Sequence, residues 1–486
     1  MSINYRIILR ILGVITVITG LSMIPSMIVS FLNDSEAVFY SFLFSSIPLT
    51  VIGFSFVIYH RNAPKTFKIR DGYFVVATCW VLASLLGALP YYLSGVAVTY
   101  ADAIFESTAA FTTTGCTIMD NSTLPMGIIL WKATTHWLGG MGILIFAISI
   151  LPALGISGLK LASAESPGPT FNKVKTKLAD STKLLYLIYV SLTVSLFVLL
   201  SFSKMSTFDA VVNTLGCIST SGLASNPGGI AAYDSIYIEF VITLFTLLAS
   251  INFMMYYFMI SGRWESILQD VELKAYALII LGSVSIIGMS LYLSGTYSSI
   301  LEAFRMGLFQ AVSFSTTAGY SLADYTQWPT FTQVLLFLLM CIGGCAASTC
   351  GSFKVIRLIV LIKLISRGFR KRLHPRSVVA VRLGNNAIPA ETVSSITVFA
   401  MFYFAIFLFT SLVISLDNLD ITTTLTTSIS VLSNTGIAFG ELGPAANFSI
   451  YSSPMRLFLS FMMIVGRLEL FTVLIILTPY FWSREI

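Results

Sequence analysis

Apolar stretches long enough to cross a lipid bilayer recur along the whole of this chain. A helix needs about 20 apolar residues to span a hydrocarbon core about 30 Å thick. Charged residues make up only 10% of the 486 positions, whereas a soluble domain has about 25%. We predict ten spans, at approximately 7–32, 38–59, 73–95, 126–152, 184–203, 236–261, 275–294, 331–364, 393–416 and 455–481. The predicted fold class is therefore an all-α polytopic membrane protein.

The distribution of basic residues predicts the orientation of these spans. Most of the 28 Lys and Arg residues lie before the first span, after the last one or between alternate spans. Cytoplasmic segments of membrane proteins carry such an excess, so both termini are predicted to be cytoplasmic. The first span lacks a small-residue cleavage site behind a short apolar core, which predicts a retained helix. The same asymmetry accounts for the net charge of +6 without a nucleic-acid partner.

Four short polar segments interrupt the apolar sequence at similar spacing. They read FTTTGCT, ISTSGLA, STTAGYS and LSNTGIA, and their glycines are Gly115, Gly222, Gly319 and Gly436. Each follows an amphipathic segment too short to span, at 101–112, 207–219, 300–316 and 419–433. A helix of about 12 residues is about 18 Å long and reaches only partway into the bilayer. The pattern predicts four re-entrant pore helices, each between two spans.

The four polar segments are predicted to surround one cation pathway. Re-entrant backbone at membrane depth is tolerated only where protein buries it or water reaches it. Around one axis, the negative helix C-termini, carbonyls and hydroxyls can replace the hydration shell of a cation, and glycine supplies left-handed backbone. The alternative, an ordinary turn in each place, does not explain the fourfold period. The predicted ion-binding residues are Thr112, Thr113, Thr114, Gly115, Ser219, Thr220, Ser221, Gly222, Thr316, Thr317, Ala318, Gly319, Ser433, Asn434, Thr435 and Gly436.

Three motifs resemble those of a known transporter family. FESTAAFTTTGCT at 105–117, HWLGGMG at 136–142 and GRLELFT at 466–472 are similar to the Trk/Ktr/HKT superfamily of cation transporters, and to its TrkH type in particular. The resemblance covers nearly the whole chain, including two extra N-terminal spans. It implies a K⁺-translocating subunit with four span–pore helix–span repeats around a pseudo-fourfold pore. The implied boundaries are 1–71 for the N-terminal spans and 72–165, 166–270, 271–385 and 386–486 for the pore repeats.

The same resemblance implies the partners and the setting. It implies a homodimer in a bacterial inner membrane, in contact with membrane lipids and assembled with a cytosolic TrkA-type nucleotide-binding ring. A regulatory nucleotide, whether ATP, ADP or NAD, is expected on that ring and not on this chain. The basic segment 366–382 is either the docking site of the ring or a topology signal that contacts anionic lipid.

The eighth predicted span contains a candidate gate. At about 34 residues it would be about 51 Å long as a straight helix. Small and polar residues in its middle, GGCAASTCGS at 343–352, weaken a helix. They predict a break with an intramembrane loop, or alternatively a face for close helix packing. The resemblance implies that this loop occludes the pore. The residues assigned to the gate are Gly343, Gly344, Cys345, Ala346, Ala347, Ser348 and Arg467.

Charges within predicted spans are costly unless protein or water surrounds them. Arg467 is expected either to project towards the pore axis beneath the polar segments or to form a buried ion pair elsewhere. Residues two apart on a helix face different ways, so Arg467 and Glu469 are not expected to pair. Arg357 is expected to extend to the cytoplasmic interface.

Other classes of protein fit the sequence less well. The three His are scattered and no H-E-x-x-H, P-loop or G-x-G-x-x-G motif is present, which argues against an enzyme. Cys341, Cys345 and Cys350 lack His or acidic neighbours and are predicted to pack rather than to bind a metal. A secondary transporter coupled to Na⁺ or H⁺ is the stronger alternative. Such transporters are commonly built from inverted repeats, whereas this sequence has four units of one orientation.

Overall fold

The computed structural model describes residues 4–63, 69–142, 178–226, 228–377, 379–384, 386–444 and 447–483. Its helices are Tyr5–Ser22, Ile24–Asn33, Glu36–Tyr59, Ile69–Gly87, Leu89–Leu93, Tyr100–Phe111, Met126–Gly140, Leu178–Ser201, Thr207–Ile218, Ile236–Ser250, Phe253–Ile260, Trp264–Leu268, Val271–Leu293, Ile300–Ser315, Thr330–Ile342, Val355–Leu373, Ala390–Ile414, Ile421–Ser433, Ser453–Arg467, Phe471–Leu474 and Pro479–Trp482. Short 3₁₀ turns lie at Ile230–Tyr233, Tyr325–Gln327, Ser415–Asp417, Phe448–Ile450 and Ile475–Leu477. A two-stranded antiparallel pair joins Arg382–Leu383 to Asn386–Ala387.

The lengths of the helices confirm the predicted fold class. Six described helical segments are long and apolar enough to cross a membrane, and two sharply bent pairs bring the number to as many as eight. The fourth predicted span begins as the helix Met126–Gly140, and its predicted continuation from 143 to 152 lies outside the described residues. The chain is a polytopic, all-α membrane protein.

The N-terminal helices form a closely packed hairpin that is fastened to the rest of the bundle. A methyl group added to Gly13 would lie 2.9 Å from the carbonyl of Gly53, so only small residues allow this approach. The side chain of Asp34, after the first span, accepts the amide N–H of Met126 at 2.9 Å and of Gly127 at 2.8 Å. A carboxylate at a helix N-terminus satisfies free amides and interacts favourably with the helix dipole. Asp34 therefore ties the hairpin to the helix that follows the first polar segment.

Four short helices occupy the predicted re-entrant positions, and we call them pore helices 1 to 4. They are Tyr100–Phe111, Thr207–Ile218, Ile300–Ser315 and Ile421–Ser433. Thr99 and Asp102 form a reciprocal capping box at pore helix 1, and Ser206 and Asp420 cap pore helices 2 and 4 with their side chains. Hydroxyl and carboxylate caps of this kind fix where a helix begins. The caps set the register in which pore helices 1, 2 and 4 deliver their polar segments, whereas pore helix 3 begins after Ser299 without a side-chain cap.

Two spans predicted as continuous helices are broken. The sixth changes direction by 92° between Ser250 and Phe253, and the tenth by 112° between Arg467 and Phe471. At the first break Asn252 begins a new helix by accepting the amide N–H of Met254. At the second break Glu469 and Leu470 adopt left-handed backbone, with φ of 54° and 60°. Neither break contains a proline, which commonly causes a sharp kink, and tertiary contacts hold both bends.

We predict that Asp34→Ala lowers the stability of the folded protein in detergent. It removes two hydrogen bonds from a helix N-terminus, and the loss of such a cap costs about 1–2 kcal/mol. The measurement is thermal unfolding followed by size-exclusion chromatography. Asn33→Ala is the matched control, because the Asn33 amide bonds only to Val29 within its own helix and is exposed. Equal melting temperatures for the two variants would contradict the fastening role of Asp34.

Candidate functional site

The four polar segments share one backbone geometry where their pore helices end. In the first, the amide of Thr114 donates to the carbonyl of Ala109 at 2.9 Å, and the amide of Thr113 donates to that of Ala110 at 3.0 Å. The same two bonds recur at equivalent positions after pore helices 2, 3 and 4. This pairing is the Schellman motif, in which a left-handed residue closes the end of a helix. It turns the N–H groups of each polar segment back onto the pore helix.

The left-handed residue of the Schellman motif is not a glycine in any of the four repeats. The residues are Thr113, Thr220, Thr317 and Asn434, with φ between 53° and 56°. The glycine two positions later is also left-handed in each repeat, with φ between 69° and 79°. A non-glycine residue in this region costs on the order of 1–3 kcal/mol and persists only where its surroundings enforce it. The four segments are held in a conformation that their sequence alone disfavours.

The four glycines close a ring in which each one faces a carbonyl of the next repeat. A methyl group on Gly115 would lie 1.9 Å from Ser221 O, and one on Gly222 would lie 2.2 Å from Ala318 O. One on Gly319 would lie 2.3 Å from Thr435 O, and one on Gly436 would lie 1.9 Å from Thr114 O. The order of contacts is repeat one to two, two to three, three to four and four back to one. The close approach of backbones leaves no room for a side chain at any of the four positions.

Hydroxyl groups reinforce each segment from its own side. The hydroxyls of Thr112 and Thr114 are 2.8 Å apart, those of Ser219 and Ser221 3.1 Å and those of Ser433 and Thr435 2.7 Å. Thr316 and Ala318 stand at these places in repeat three. The Asn434 amide instead crosses between repeats and donates to Thr114 Oγ1 at 3.0 Å. The hydroxyl pairs therefore stiffen single segments, and the Asn434 amide joins repeat four to repeat one.

A wide cavity lies on the side of the ring formed by the residues that follow the four glycines. Its volume is about 530 Å³, and all four glycines line it together with Asp120 and Asp324. The amide of Ser122 donates to Asp120, and this hydrogen bond holds the pKa of the Asp120 carboxyl below its usual range. Asp120 is therefore ionised at neutral pH. The mouth of the ring is open and carries negative charge.

The opposite side of the ring is covered by a loop, residues 343–354, that interrupts the eighth predicted span between Ile342 and Val355. We call it the intramembrane loop. The amide of Gly351 donates to Thr317 Oγ1 at 3.0 Å, and a methyl group on Gly351 would lie 2.0 Å from Ser433 O. The cavity on this side measures only about 90 Å³. The loop thus lies directly against the polar segments of repeats three and four.

The intramembrane loop is held by backbone groups that the broken sixth span leaves free. Cys345 donates its amide to Ser250 O at 3.1 Å, and Thr349 donates to Ala249 O. Glu272 accepts the amides of Ala346 and Ile356, at 2.7 Å and 3.2 Å, and so joins the two ends of the loop. A buried carbonyl without a donor is costly. The bend at Ser250 and the loop therefore depend on each other.

Arg467 lies beneath the ring and binds carbonyls from two other parts of the chain. Its guanidinium donates to Thr349 O at 2.8 Å, Gly139 O at 2.7 Å and Gly140 O at 2.9 Å. Gly140 and Arg467 line the narrow cavity together with residues of the intramembrane loop. The Arg467 side chain lies at this cavity, so its placement towards the axis beneath the polar segments stays a prediction that this geometry allows. The arginine bridges the loop to the helix that follows the first polar segment.

Arg357 does not extend to the cytoplasmic interface as expected. Its side chain is buried and forms an ion pair with Glu469 at the bend of the tenth span. The guanidinium also lies 4.0 Å from the ring centre of Phe399. The bend brings the Glu469 carboxylate within reach of Arg357. The attraction between the two charges compensates for the free-energy cost of removing Arg357 from water, which a lone charge would bear in full. Arg467 and Glu469 bind different partners, although Glu469 lies in the left-handed bend after the helix and not on the helix itself.

Several residues of this region were missed by the sequence analysis. The assigned gate residues Gly343–Ser348 include the anchors Cys345 and Ala346, whereas the contacts with the ring and with Arg467 come from Gly351 and Thr349. Lys354, which donates to Cys350 O, and Glu272 were not assigned either. Gly351 lies within the predicted loop GGCAASTCGS, so the sequence offered a signal for it. It offered none for Glu272, because Glu272 lies 74 positions before its partner Ala346.

Comparison with known proteins agrees with this arrangement. A family model described as TrkH, a cation transport protein, matches residues 34–483. The chain is 33% identical to the Trk system potassium uptake proteins TrkH of Halomonas elongata and of Escherichia coli K12, over 99% of this chain and 100% of each relative. It is 29% identical to the Escherichia coli K12 protein TrkG, over 99% of both chains. The crystal structure of the potassium transporter TrkH from Vibrio parahaemolyticus superposes with a TM-score of 0.88 at 30% identity, over 99% of this chain and 100% of that one.

Transport of cations, rather than enzymatic chemistry, is what unites these relatives, and the match extends from the N-terminal hairpin to the bend beyond Arg467. The chain belongs to the TrkH family of cation transport proteins.

Proposed function

We propose that the chain is a K⁺ uptake subunit that conducts ions in a channel-like manner through the ring of polar segments. The closed cycle of four glycine-to-carbonyl approaches carries this proposal. The N–H groups of each segment bond back to its helix, so the carbonyls are the groups left to replace the hydration shell of a cation. The relatives named as potassium uptake proteins support K⁺ as the substrate.

The selectivity filter in this proposal consists of the sixteen predicted residues, grouped by repeat as 112–115, 219–222, 316–319 and 433–436. Their flanking hydroxyls bind one another within a repeat, so the ion-facing role is assigned to backbone carbonyls. In this proposal the repeats have the boundaries 72–165, 166–270, 271–385 and 386–486. All four polar segments share one backbone geometry, so K⁺ passes along their common axis. Transport by two halves of the protein that alternate in access to the site is not part of this proposal.

The gate consists of the intramembrane loop and Arg467. The loop presses against Thr317 and Ser433 from within, and Arg467 places a positive charge under the ring, where it repels a passing cation. The conformation described has a narrow inner cavity and a wide outer one. Conduction requires the loop to leave the ring and Arg467 to release Thr349.

The proposed setting is a bacterial inner membrane with both termini in the cytoplasm, and the proposed assembly is a homodimer with a cytosolic TrkA-type ring. The relatives are named as parts of a Trk system, which supports partner subunits. ATP, ADP or NAD would bind that ring, and this chain would contact lipid. The exposed basic end of the helix Val355–Leu373 suits docking, since it carries Arg370, Lys371 and Arg372 and continues directly from the intramembrane loop.

The test of the proposed function is ion uptake into liposomes that contain the purified protein. Channel-like conduction predicts Rb⁺ uptake that exceeds Na⁺ uptake and does not respond to an imposed proton gradient. Strict coupling of Rb⁺ uptake to H⁺ or Na⁺ in a fixed ratio would favour a secondary transporter instead.

We predict that Gly115→Ser lowers the ratio of Rb⁺ to Na⁺ uptake by about tenfold. A β-carbon at this position would lie 1.9 Å from Ser221 O, so the ring must widen, and such overpacking costs about 1–3 kcal/mol. Gly295→Ser is the matched control, because Gly295 has a similar φ of 72° with no atom within 4 Å of the added carbon. An unchanged ratio in Gly115→Ser, at undiminished flux, would remove Gly115 from the filter.

We predict that Arg467→Ala and a deletion of Ala346 and Ala347 each raise Rb⁺ uptake without any cytosolic partner. The expected increase is about tenfold, since one hydrogen bond to a charged donor contributes about 1.5–3 kcal/mol. The two effects should not add in the double variant, because both remove one barrier. Arg70→Ala is the control, as Arg70 also donates to a carbonyl, that of Ser483, away from the ring. Fully additive increases would mean that the loop and Arg467 do not share a gate.

We predict that neutralising Arg370, Lys371 and Arg372 together weakens binding of a TrkA-type ring by about tenfold at low ionic strength, since exposed ion pairs contribute about 0.2–1 kcal/mol each. The difference from the unmodified protein should shrink as salt is added. Removal of the scattered exposed charges Arg6, Arg61 and Arg263 is the control with equal charge. Full binding of the first variant at every ionic strength would refute docking at this helix end.

A further inference from the structure

A buried polar side chain on each pore helix bonds to the chain three positions after the filter glycine. In repeat one, Glu106 Oε1 accepts the amide of Ile118 at 2.6 Å. In repeat three, Gln310 Oε1 accepts the amide of Leu322 at 3.1 Å. Glu106 and Gln310 each lie nine positions before their glycine, and both side chains are fully buried. The same contact is thus built from different side chains in two repeats.

Repeat four makes the same contact from a neighbouring position, whereas repeat two makes a side-chain bond in place of the bond to a backbone amide. Asn213, again nine positions before its glycine, donates to Ser225 Oγ at 3.1 Å. In repeat four the position shifts by one residue, and Thr426 Oγ1 accepts the amide of Phe439 at 3.1 Å. Ile118, Ser225, Leu322 and Phe439 are all three residues after their glycines. We infer that Glu106, Asn213, Gln310 and Thr426 form a second ring of positioning residues, the outer brace, which sets the ion selectivity of the filter by fixing the backbone just beyond it.

Glu106 is the charged member of the outer brace and is compensated locally. Its second oxygen lies 2.9 Å from Lys132 Nζ, and both side chains are buried. Lys132 also donates to Thr117 Oγ1 at 2.9 Å, and Thr117 donates to Glu106 Oε1 at 2.6 Å. Two buried charges with satisfied partners are tolerable, whereas either charge alone is strongly destabilising. The triad therefore holds Thr117 and Ile118 from two directions at once.

The segment that the brace holds also contacts the neighbouring repeat. Thr117 O accepts the amide of Phe448 from repeat four at 2.9 Å, so a shift of Thr117 is felt in the neighbouring repeat. Thr117 is two residues from Gly115, whose backbone touches Ser221. The carbonyls of a filter discriminate ions by their spacing and their freedom to move. If the brace is lost, the chain just beyond the filter glycine becomes looser. We therefore expect the ratio of Rb⁺ to Na⁺ uptake to change more than the total ion flux.

The inference rests on the proposed function and is tested by the Rb⁺ to Na⁺ uptake ratio in liposomes. Glu106→Leu and Gln310→Leu should each lower the ratio by about fivefold, the loss expected for one hydrogen bond. The double variant Glu106→Gln with Lys132→Met keeps an acceptor oxygen like that of Gln310 and removes both charges, so its ratio should return to within about twofold of the unmodified protein. Gln310→Leu introduces no unpaired charge, and it serves as the readout if Glu106→Leu does not yield folded protein.

Glu239→Ala is the control. Glu239 pairs with Arg305 at 3.6 Å in a partly exposed ion pair, and its loss should leave the ratio unchanged. Folded Glu106→Leu or Gln310→Leu protein with an unchanged ratio would overturn the inference. A double variant as unselective as Glu106→Leu would also overturn it, because the charge and not the hydrogen bond would then matter. If the unmodified protein itself conducts neither ion, the proposed function fails instead.

Discussion

The need to satisfy backbone hydrogen-bonding groups inside a membrane governs the whole structure. Each pore helix ends within the protein, where its last carbonyls and the next amides have no water to bind. The Schellman motif solves half of this problem by turning the amides of Thr113, Thr114 and their counterparts back onto the helix. The carbonyls that follow have no such partner in the helix, and four copies of them meet around one axis. Under the proposed function a dehydrated cation is the group that satisfies them, and binding of an ion there would complete the backbone bonding.

The same need couples the breaks in the spans to one another. The end of the helix at Ser250 exposes carbonyls that accept amides of Cys345 and Thr349 from the intramembrane loop. Arg467, at the bend of the last span, donates hydrogen bonds to Thr349 O and Gly139 O. Glu469 forms an ion pair with Arg357, just beyond the loop. The bonds between backbone groups contribute about 1 kcal/mol net each, and those with a charged donor about 1.5–3 kcal/mol. A loop held by a few such bonds can be displaced by a partner whose binding energy exceeds their sum, whereas a packed helix could not.

How much the sequence predicts depends on how local each cause is. The four repeats follow from the spacing of Gly115, Gly222, Gly319 and Gly436 and from the length of the segments before them, and both are visible in a single sequence. The interruption near 343 follows from residues that weaken a helix where they stand. The bend at 250–252 does not, because its cause is the loop about a hundred residues later. The burial of Arg357 likewise depends on Glu469, which comes within reach only when the last span bends.

One chain with four unequal repeats can do what four identical subunits cannot. Asn434 replaces threonine at the left-handed position of repeat four and ties it to repeat one through Thr114. The intramembrane loop contacts Thr317 and Ser433, in repeats three and four. The proposed block beneath the filter is therefore asymmetric, because it is built from the loop of repeat three and Arg467 of repeat four. Repeat three continues as a single helix from the loop at Val355 to an exposed basic end at Leu373. Arg357 joins this helix to the bend beside Arg467 through Glu469, so under the proposed function a displacement of the helix would reach both the loop and Arg467.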